Sequence, residues 1–293
     1  AGLRRGPGPE RPGRPVAFGP ERRSCAGEAA FRVKPQIVGG SVVNSSDRYP
    51  FLAWIGDDDG SGASQFCGGS LVSDRLVLTA AHCLYGEEER NLQVLVRVRL
   101  ADFKQEPGLA RRVVNFRRHE GFDDETLRDD LALLLLNASV PPEAAAPVPL
   151  SDGLQAFERA GEKTVAGWGS ASAGCMLWDS RLREAQVPMG AFGPECRTPG
   201  REAIKPQHHF DPSKQLCAGL YSEGRALYPS CGDSGGPLLA PAGGAWTQVG
   251  IVSASFDKDL PDIFTRVSAY RSWIDTASAE LLRQGNRAKP GRM

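Results

Sequence analysis

The stretch Cys231-Gly232-Asp233-Ser234-Gly235-Gly236-Pro237 sets one serine among three glycines, with an aspartate directly before it. Glycine tolerates backbone conformations that other residues avoid, so this run can turn sharply and expose the Ser234 side chain at a corner. A tight turn of this kind also directs successive backbone N–H groups into one concavity, which suits a developing oxyanion. A serine hydroxyl is a weak nucleophile unless a base takes its proton. The stretch therefore predicts a base, and a group that orients the base, elsewhere in the chain.

A histidine and an aspartate fit those two roles. His82 follows the apolar run Leu76–Leu78, and its ordinary pKa near neutrality suits a proton acceptor. Asp130 stands directly before the apolar run Leu131–Leu136, where a charge is either solvated or buried with a partner. Asp129 competes for the same role. We favour Asp130 because it adjoins the apolar run, and we expect Asp129 to be solvated.

The order His82, Asp130, Ser234 and the motifs around these residues resemble the trypsin/chymotrypsin family of serine endopeptidases. The resemblance runs from Ile37 to about Ile274. The matching motifs are Ile37-Val38-Gly39-Gly40, Cys67-Gly68-Gly69-Ser70, Thr79 to Cys83, Asp130 to Leu134, Gly167-Trp168-Gly169, Cys217-Ala218-Gly219 and Gly232 to Pro237. The resemblance implies that Ser234 is the nucleophile, His82 the general base and Asp130 the group that holds the histidine in one tautomer.

Short apolar runs broken by turns predict an all-β fold. The clearest runs are Phe51–Ile55, Ser70–Val72, Leu76–Leu78, Leu92–Leu100, Val113–Val114, Leu131–Leu136 and Thr164–Ala166. This pattern alone fits a sandwich as well as a barrel. The resemblance implies two six-stranded antiparallel β-barrels with the active site in the cleft between them. Tyr270–Leu282 has apolar residues at helical spacing, which predicts a C-terminal helix.

Three segments follow from composition and resemblance. Residues 1–36 are rich in Arg, Pro and Gly and have too little apolar surface to order themselves, so they form a flexible tail or an activation segment. Residues 37–276 form the protease domain, and residues 277–293 form the end of the helix with a loose basic tail from Gln284. In the family, cleavage before the first residue of the Ile-Val-Gly-Gly motif frees an ammonium group. That group pairs with the aspartate before the nucleophile, so here Ile37 would pair with Asp233.

The resemblance also assigns the substrate-binding groups. The backbone N–H groups of Gly232 and Ser234 would form the oxyanion hole. Ser253 matches the residue that hydrogen-bonds the aspartate of the catalytic triad, which here is His82, Asp130 and Ser234. The segment from Ser253 to Ser255 would pair with the substrate backbone.

The specificity pocket departs from the common family pattern. Tyr228 falls at the pocket floor, where trypsin-like members carry aspartate; if one residue is deleted there, Pro229 takes that place. Cys231 lies at the rim, and Asp262 either matches an acid at the back of the pocket or lies on a surface loop. Ala254 replaces the usual tryptophan. Residues 251–270 therefore look more like cathepsin G and the granzymes.

The seven cysteines fit an oxidising compartment. The resemblance implies the pairs Cys67–Cys83 and Cys196–Cys217. Cys25, Cys175 and Cys231 remain. We favour a Cys175–Cys231 bridge between two loops at the pocket rim, and the alternative is a Cys25–Cys175 tether for the activation segment.

Charge and composition limit the partners. The chain has 35 basic and 35 acidic side chains, so its net charge points to no particular partner. We expect it not to bind nucleic acid. It has no apolar run of about 18 residues, so we expect no membrane span. Asn44 and Asn137 begin glycosylation sequons. The adjacent His208 and His209 lack a second ligand pair, so we expect no metal and no cofactor.

Together these observations predict a monomeric serine endopeptidase made as a zymogen and activated by cleavage before Ile37. Its partners would be polypeptide substrates and protein protease inhibitors. We expect it to be secreted, with storage in granules as a variant, and with any secretory signal outside this sequence. The alternative is a catalytically idle homologue that acts as a binding protein.

Overall fold

The apolar runs form strands at the predicted places. The computed structural model describes residues 37, 40–57, 65–84, 94–158, 160–170, 180–189, 210–219, 229–255 and 261–287. The strands are β1 (Ser41–Val42), β2 (Leu52–Asp57), β3 (Gln65–Leu71), β4 (Leu76–Thr79), β5 (Val94–Val98), β6 (Leu109–Arg118), β7 (Ala132–Leu136), β8 (Glu162–Gly167), β9 (Arg183–Pro188), β10 (Gln215–Ala218), β11 (Pro237–Ala242), β12 (Ala245–Ala254) and β13 (Asp262–Arg266). The helix α1 is Arg271–Arg287, and short 3₁₀ helices cover Ser46–Arg48, Ala81–Leu84, Ala156–Glu158 and Val267–Tyr270.

The first half of the chain closes into a barrel with the strand order β2-β3-β4-β7-β6-β5. All the pairings are antiparallel, and β2 pairs with β5 to complete the ring. The barrel interior holds fully buried side chains that include Ile55, Val77 and Leu134. A closed ring leaves no strand edge exposed. Strand β7 is apolar on both faces because Leu134 lies in the interior cluster and Leu135 lies in a second cluster with Ile274 of α1.

The second half is an antiparallel sheet with the order β1-β9-β8-β11-β12-β13-β10. Its ends also meet: the N–H of Gly219 donates to the carbonyl of Pro188 at 2.9 Å, and Met189 forms an antiparallel bridge with Ala218. These contacts return β10 to β9, and the two-residue β1 lies outside that ring on β9. The all-β prediction with a C-terminal helix is confirmed.

Hydrogen bonds join the two halves where the predicted cleft lies. The N–H of Gly68 in β3 donates to the carbonyl of Ser234 at 2.8 Å. The buried hydroxyl of Ser70 donates to Oε1 of Gln248 in β12 at 2.5 Å. The first bond fixes the segment that carries Ser234 against the first barrel, and the second joins the first barrel to β12.

The helix α1 continues to Arg287, past the predicted end at Leu282, so residues 284–287 do not form a loose tail. The last turn is held by the first barrel. A Cβ added to Gly285 would lie 2.7 Å from Cδ2 of Leu135, and Asn286 accepts a hydrogen bond from Nη1 of Arg75 at 3.3 Å. No helix in the described part of the chain is long and apolar enough to cross a membrane.

The sequence Arg97-Val98-Arg99-Leu100 alternates polar and apolar residues, as is typical of a half-buried strand, yet Arg97 does not face solvent. Its guanidinium is buried over the Trp54 ring, 5.2 Å from the centroid. It donates to the backbone carbonyls of Phe103, Glu106 and Pro107. The arginine is buried because the loop after β5 folds back and surrounds the guanidinium with carbonyl groups, a tertiary contact that periodicity does not report.

A buried ion pair fixes the junction between β13 and the helix. The carboxylate of Glu158 accepts hydrogen bonds from Nε of Arg266 at 2.6 Å and from the hydroxyls of Ser151 and Ser268, both at 2.5 Å. Burial raises the pKa of Glu158, but these hydrogen bonds outweigh burial and hold the pKa below its ordinary value. The ionised form of Glu158 therefore stabilises the fold.

We predict that Glu158→Gln lowers the free energy of unfolding at pH 7 by about 3 kcal/mol, because it leaves Arg266 buried without its counter-charge. A carboxylate with a depressed folded pKa stabilises the fold above its unfolded pKa, near 4.5. That stabilisation is lost as the pH falls through the folded pKa. The deficit of the variant should therefore shrink below pH 4 in denaturant titrations. Glu162→Gln, at an exposed residue of β8, is the control. An equal deficit at every pH would contradict the prediction.

Candidate active site

The turn that carries Ser234 depends on two glycines with positive φ. Gly232 has φ +93° and Gly235 has φ +79°, which side chains other than glycine rarely adopt. A Cβ on Gly235 would also lie 2.1 Å from Oγ1 of Thr79. The glycines therefore bring the backbone of this turn against β4, and the Ser234 side chain remains partly exposed.

His82 lies in the 3₁₀ helix Ala81–Leu84, directly after β4. The predicted disulfide Cys67–Cys83 is present and ties this helix to β3. The carbonyl oxygen of Ser234 lies 3.7 Å from Sγ of Cys83. The backbone of the predicted nucleophile thus lies against the segment that carries the predicted base.

Asp130 is fully buried and directed at His82. Its Oδ2 lies 2.7 Å from Nδ1 of the imidazole, and its Oδ1 accepts the backbone N–H of His82 at 2.9 Å. The hydroxyl of Ser253 donates to Oδ2 at 2.6 Å. Because an ionised carboxylate only accepts hydrogen bonds, this contact places a proton on Nδ1 and leaves Nε2 as the basic nitrogen of a neutral ring.

Asp129 is not solvated as predicted. Its side chain is 12% exposed, and Oδ1 accepts hydrogen bonds from Nζ of Lys214 at 2.7 Å and the hydroxyl of Tyr270 at 2.6 Å. Burial raises the pKa of Asp129, but the hydrogen bonds from Lys214 and Tyr270 outweigh burial and lower it. Asp129 also has φ +53°, so the pair of aspartates diverges: one carboxylate faces His82 and the other faces the second half of the chain.

His119 is half-buried. Its ring contacts the rings of Tyr270 and Trp273, with centroids 5.3 and 5.0 Å apart. Burial lowers the pKa of His119. The other two histidines, His208 and His209, lie outside the described residues.

The N–H groups predicted for the oxyanion hole are available. Within the described ranges, neither the Gly232 N–H nor the Ser234 N–H donates to a protein acceptor. The peptide between Gly232 and Asp233 is held on both sides. Nε2 of Gln65 donates to the Gly232 carbonyl at 3.0 Å, and the Asp233 N–H donates to the Ser230 carbonyl at 2.9 Å.

Asp233 is buried, with 4% of its surface exposed. Its carboxylate accepts the N–H of Gly169 at 2.8 Å and that of Ser230 at 3.0 Å. Burial raises the pKa of Asp233 to about 6, and the two backbone hydrogen bonds only partly offset burial. A Cβ on Gly167 or Gly169 would lie within 2.4 Å of this carboxylate, which explains why glycines flank Trp168.

Ile37, the predicted activation residue, is fully buried among apolar side chains from the second half of the chain. It belongs to the same apolar cluster as Val165 and Ala185, which lie on β8 and β9. Strand β8 continues into the Gly167-Trp168-Gly169 segment that packs on Asp233. Ile37 therefore shares an apolar cluster with β8, the strand that leads to the Asp233 carboxylate.

Asp262 begins β13 and is 1% exposed, so it is not on a surface loop. The hydroxyl of Ser255 contacts both Oδ1 of Asp262 at 2.8 Å and the carbonyl of Pro229 at 2.9 Å. Ser253 lies in β12, and Ser255 follows the last residue of that strand. Tyr228, the residue predicted for the pocket floor, lies outside the described residues.

Four described cysteines are oxidised. Besides the pair Cys67–Cys83, Cys217 and Cys231 are each disulfide-bonded. Their predicted partners, Cys196 and Cys175, lie outside the described residues, as does Cys25. The N–H of Ser170 donates to the carbonyl of Cys231 at 2.7 Å, which places the residue five positions before Cys175 beside Cys231.

A cluster of potential metal ligands coincides with the candidate active site. Cys67, His82 and Cys83 have ligand atoms within 4.8 Å of one another. The two cysteines are joined in a disulfide, so they offer no thiolate to a metal. The cluster therefore does not alter the assignment of His82 as a base.

The sequence matches the profile of the trypsin family over residues 37–274. The chain belongs to the trypsin family. It is 32% identical to human cathepsin G over 246 residues, which cover 82% of this chain and 87% of cathepsin G. It is 32% identical to serine protease 28 of Mus musculus over 219 residues, covering 71% of this chain and 76% of that protein. It is 30% identical to duodenase-1 of Bos taurus over 259 residues, covering 86% and 92%.

We predict that Ser253→Ala lowers kcat of this trypsin-family chain by about ten-fold, because the triad carboxylate loses one charge-assisted hydrogen bond and some of its hold on His82. Steady-state kinetics on a peptide substrate, with the concentration of active sites titrated, measures the effect. Ser70→Ala removes an equally buried serine hydrogen bond away from Asp130. That control should lower thermal stability and leave kcat unchanged. Equal kcat values for Ser253→Ala and Ser70→Ala would contradict the assignment.

Proposed function

We propose that this trypsin-family chain is a secreted serine endopeptidase that hydrolyses peptide bonds through an acyl-enzyme intermediate. The observation that supports it best is the buried contact of Asp130 with Nδ1 of His82 at 2.7 Å. A bond of this kind fixes one imidazole tautomer and stabilises the imidazolium that forms when the ring takes a proton. A histidine held only for structure would not need a buried carboxylate aligned on its Nδ1.

In the proposed mechanism, His82 Nε2 takes the hydroxyl proton of Ser234 as the oxygen attacks the scissile carbonyl carbon. The carbonyl oxygen becomes an oxyanion that accepts the N–H groups of Gly232 and Ser234, and each such donor is worth about 3–4 kcal/mol. The imidazolium then protonates the leaving amine, and an ester remains on Ser234. Water, deprotonated by the same histidine, then attacks the ester carbon. The bond from that carbon to Ser234 Oγ breaks, the acid leaves, and the imidazolium returns the proton to Ser234.

The proposal includes activation by cleavage before Ile37, with residues 1–36 as the activation segment and residues 37–276 as the protease domain. Asp233 supports it, because its carboxylate is buried with a pKa raised to about 6 and bonds only to backbone N–H groups among the described residues. An added ammonium group at Ile37 would supply the missing counter-charge. In the uncut chain no such ammonium exists at residue 37.

The pocket supports a preference for a basic residue before the cut. Asp262 supplies a buried negative charge beside the end of β12, and Ser255 links that carboxylate to Pro229 on the neighbouring segment. A lysine or arginine side chain entering between these segments would meet the acid.

Further parts of the proposal concern environment and partners. Disulfide-bonded Cys217 and Cys231 fit an extracellular or granule protein, and glycosylation at Asn44 and Asn137 belongs to the same proposal. We propose Cys175–Cys231 as a bridge because Ser170 hydrogen-bonds Cys231. Polypeptide substrates and protein inhibitors would bind a monomer.

The first test separates the enzyme from an idle homologue. A fluorophosphonate should label the activated wild-type chain on Ser234. Ser234→Ala and His82→Ala should each lower turnover by roughly 10⁴- to 10⁶-fold with the fold intact, because triad members act as one unit. An activated, folded wild-type chain that neither labels nor cleaves a peptide library would favour the binding-protein alternative.

The second test concerns activation. Gln36 is not a site for trypsin, and Pro35 shields Lys34, so we expect trypsin to leave the chain inactive or to cut only after Arg32. Active material should begin with Ile-Val-Gly-Gly in N-terminal sequencing. Gln36→Arg should make trypsin sufficient for activation. An active form that begins at Val33 would overturn this route, because the ammonium would then lie four residues from the position that Asp233 requires.

The third test concerns specificity. Asp262→Ala should lose cleavage after Lys and Arg selectively in a peptide library, while cleavage after other residues persists. Asp275→Ala, which removes an exposed acid on α1, controls for net charge. An unchanged cleavage profile in Asp262→Ala would show that this buried acid does not face the substrate.

A further inference from the structure

We propose that Gln65 is a positioning residue for the oxyanion hole and acts through the carbonyl of Gly232. The inference rests on the proposed function, because it assigns a role within the same site. Gln65 is the first residue of β3 in the first barrel and is buried. Its Nε2 donates to the Gly232 carbonyl at 3.0 Å and to the Cys67 carbonyl at 3.3 Å.

The orientation of the Gln65 amide follows from its neighbours. Both contacts are carbonyl oxygens, which only accept hydrogen bonds, so the NH₂ group must face them. Oε1 then lies buried and, among the residues that the structure describes, has no donor. A buried acceptor without a donor costs stability, and this cost offsets part of what the two donated hydrogen bonds contribute.

The peptide that Gln65 holds lies between the two peptides that supply the oxyanion donors. The N–H of Gly232 belongs to the peptide before it, and the N–H of Ser234 belongs to the peptide after it. Gly232 has φ +93° and no side chain, so two hydrogen bonds restrain rotation of the middle peptide: Gln65 holds its carbonyl, and the carbonyl of Ser230 holds its N–H. Fixing the Gly232 carbonyl keeps both flanking N–H groups directed into one concavity.

The bond also crosses between the halves of the chain. Ser170 and Ser230, which hold the neighbouring backbone groups Cys231 O and Asp233 N, belong to the second half. Gln65 belongs to the first barrel, which also carries His82 and Asp130. Gln65 therefore fixes the oxyanion donors relative to the barrel that carries the base. Preorganised donors of this kind stabilise the transition state more than the bound substrate.

The role predicts a specific kinetic signature. Gln65→Met removes the donor and keeps the side-chain length, so kcat should fall about three- to ten-fold, the loss expected from one ordinary hydrogen bond, with KM nearly unchanged. Gln65→His keeps a ring N–H donor and should restore most of kcat. Rates are measured on chain cut before Ile37 and divided by the active sites counted with a fluorophosphonate, so misfolded protein does not enter kcat.

A pair of inhibitors separates the oxyanion from ground-state binding. Ser234 Oγ adds to the carbon of a peptide aldehyde, and the resulting hemiacetal oxygen occupies the place of the oxyanion. The corresponding peptide alcohol cannot add and measures binding alone. Gln65→Met should weaken aldehyde inhibition by the same factor as kcat and leave inhibition by the alcohol unchanged. Gln248→Met removes another buried glutamine amide that donates to a backbone carbonyl. This control should change neither kcat nor the ratio of aldehyde to alcohol inhibition.

The outcomes are distinct. A wild-type chain that turns over substrate, with Gln65→Met equal to it in kcat and in the aldehyde-to-alcohol ratio, would overturn the role of Gln65 and leave the proposed function standing. Equal weakening of aldehyde and alcohol would also overturn it, because that result marks a general packing defect. A cut wild-type chain without labelling or turnover would overturn the proposed function, and the role of Gln65 with it.

Discussion

The buried carboxylate of Asp233 constrains the site more than any other group. It occupies space that would be filled by a Cβ on Gly167 or Gly169, and it accepts the N–H groups of Gly169 and Ser230. These contacts fix the residue between the two oxyanion donors and directly before Ser234. Burial raises its pKa to about 6, so the ionised form is costly near neutral pH unless a positive charge joins it. The conformation of the turn Gly232–Ser234 therefore depends on the positive charge that pairs with the Asp233 carboxylate, which we propose is the ammonium of Ile37.

The site is assembled from both halves of the fold. His82 and Asp130 come from the end of β4 and the start of β7, whereas Ser234 and Ser253 come from the second half of the chain. The bonds Gly68–Ser234, Ser253–Asp130 and Gln65–Gly232 all cross between these halves. Small relative movements of the barrels would therefore change the distance between base, nucleophile and oxyanion donors together. We infer that the interface between the barrels carries catalytic precision as well as stability.

The sequence predicted the strands and the triad because their signals are local. The apolar run after Asp130 and the glycines around Ser234 constrain the backbone where they stand, and Asp130 proved to be the aspartate that faces His82. The fate of Asp129 was not predictable in the same way. Its partners Lys214 and Tyr270 lie 85 and 141 residues away along the chain, so only the tertiary fold shows that it is buried and paired.

The same limit applies to Arg97, Gln65 and the end of α1. Arg97 stands in an alternating pattern that suggests an exposed face, yet the following loop surrounds its guanidinium with carbonyl groups. Gln65 has no local signal, because its partner Gly232 is 167 residues away. The last turn of the helix contains Gly285 and Asn286, which disfavour a helix by propensity. Packing of Gly285 on Leu135 and the contact of Asn286 with Arg75 override that propensity.

A crystal structure of the chain cut before Ile37 would test the central role of Asp233 most directly. The account predicts that the new ammonium lies about 2.7–2.9 Å from the Asp233 carboxylate, the distance of a charge-assisted hydrogen bond. The Gly232 and Ser234 N–H groups should then face one concavity. An active, cut enzyme whose Ile37 ammonium lies in solvent, with Asp233 bonded only to the backbone of Gly169 and Ser230, would contradict it.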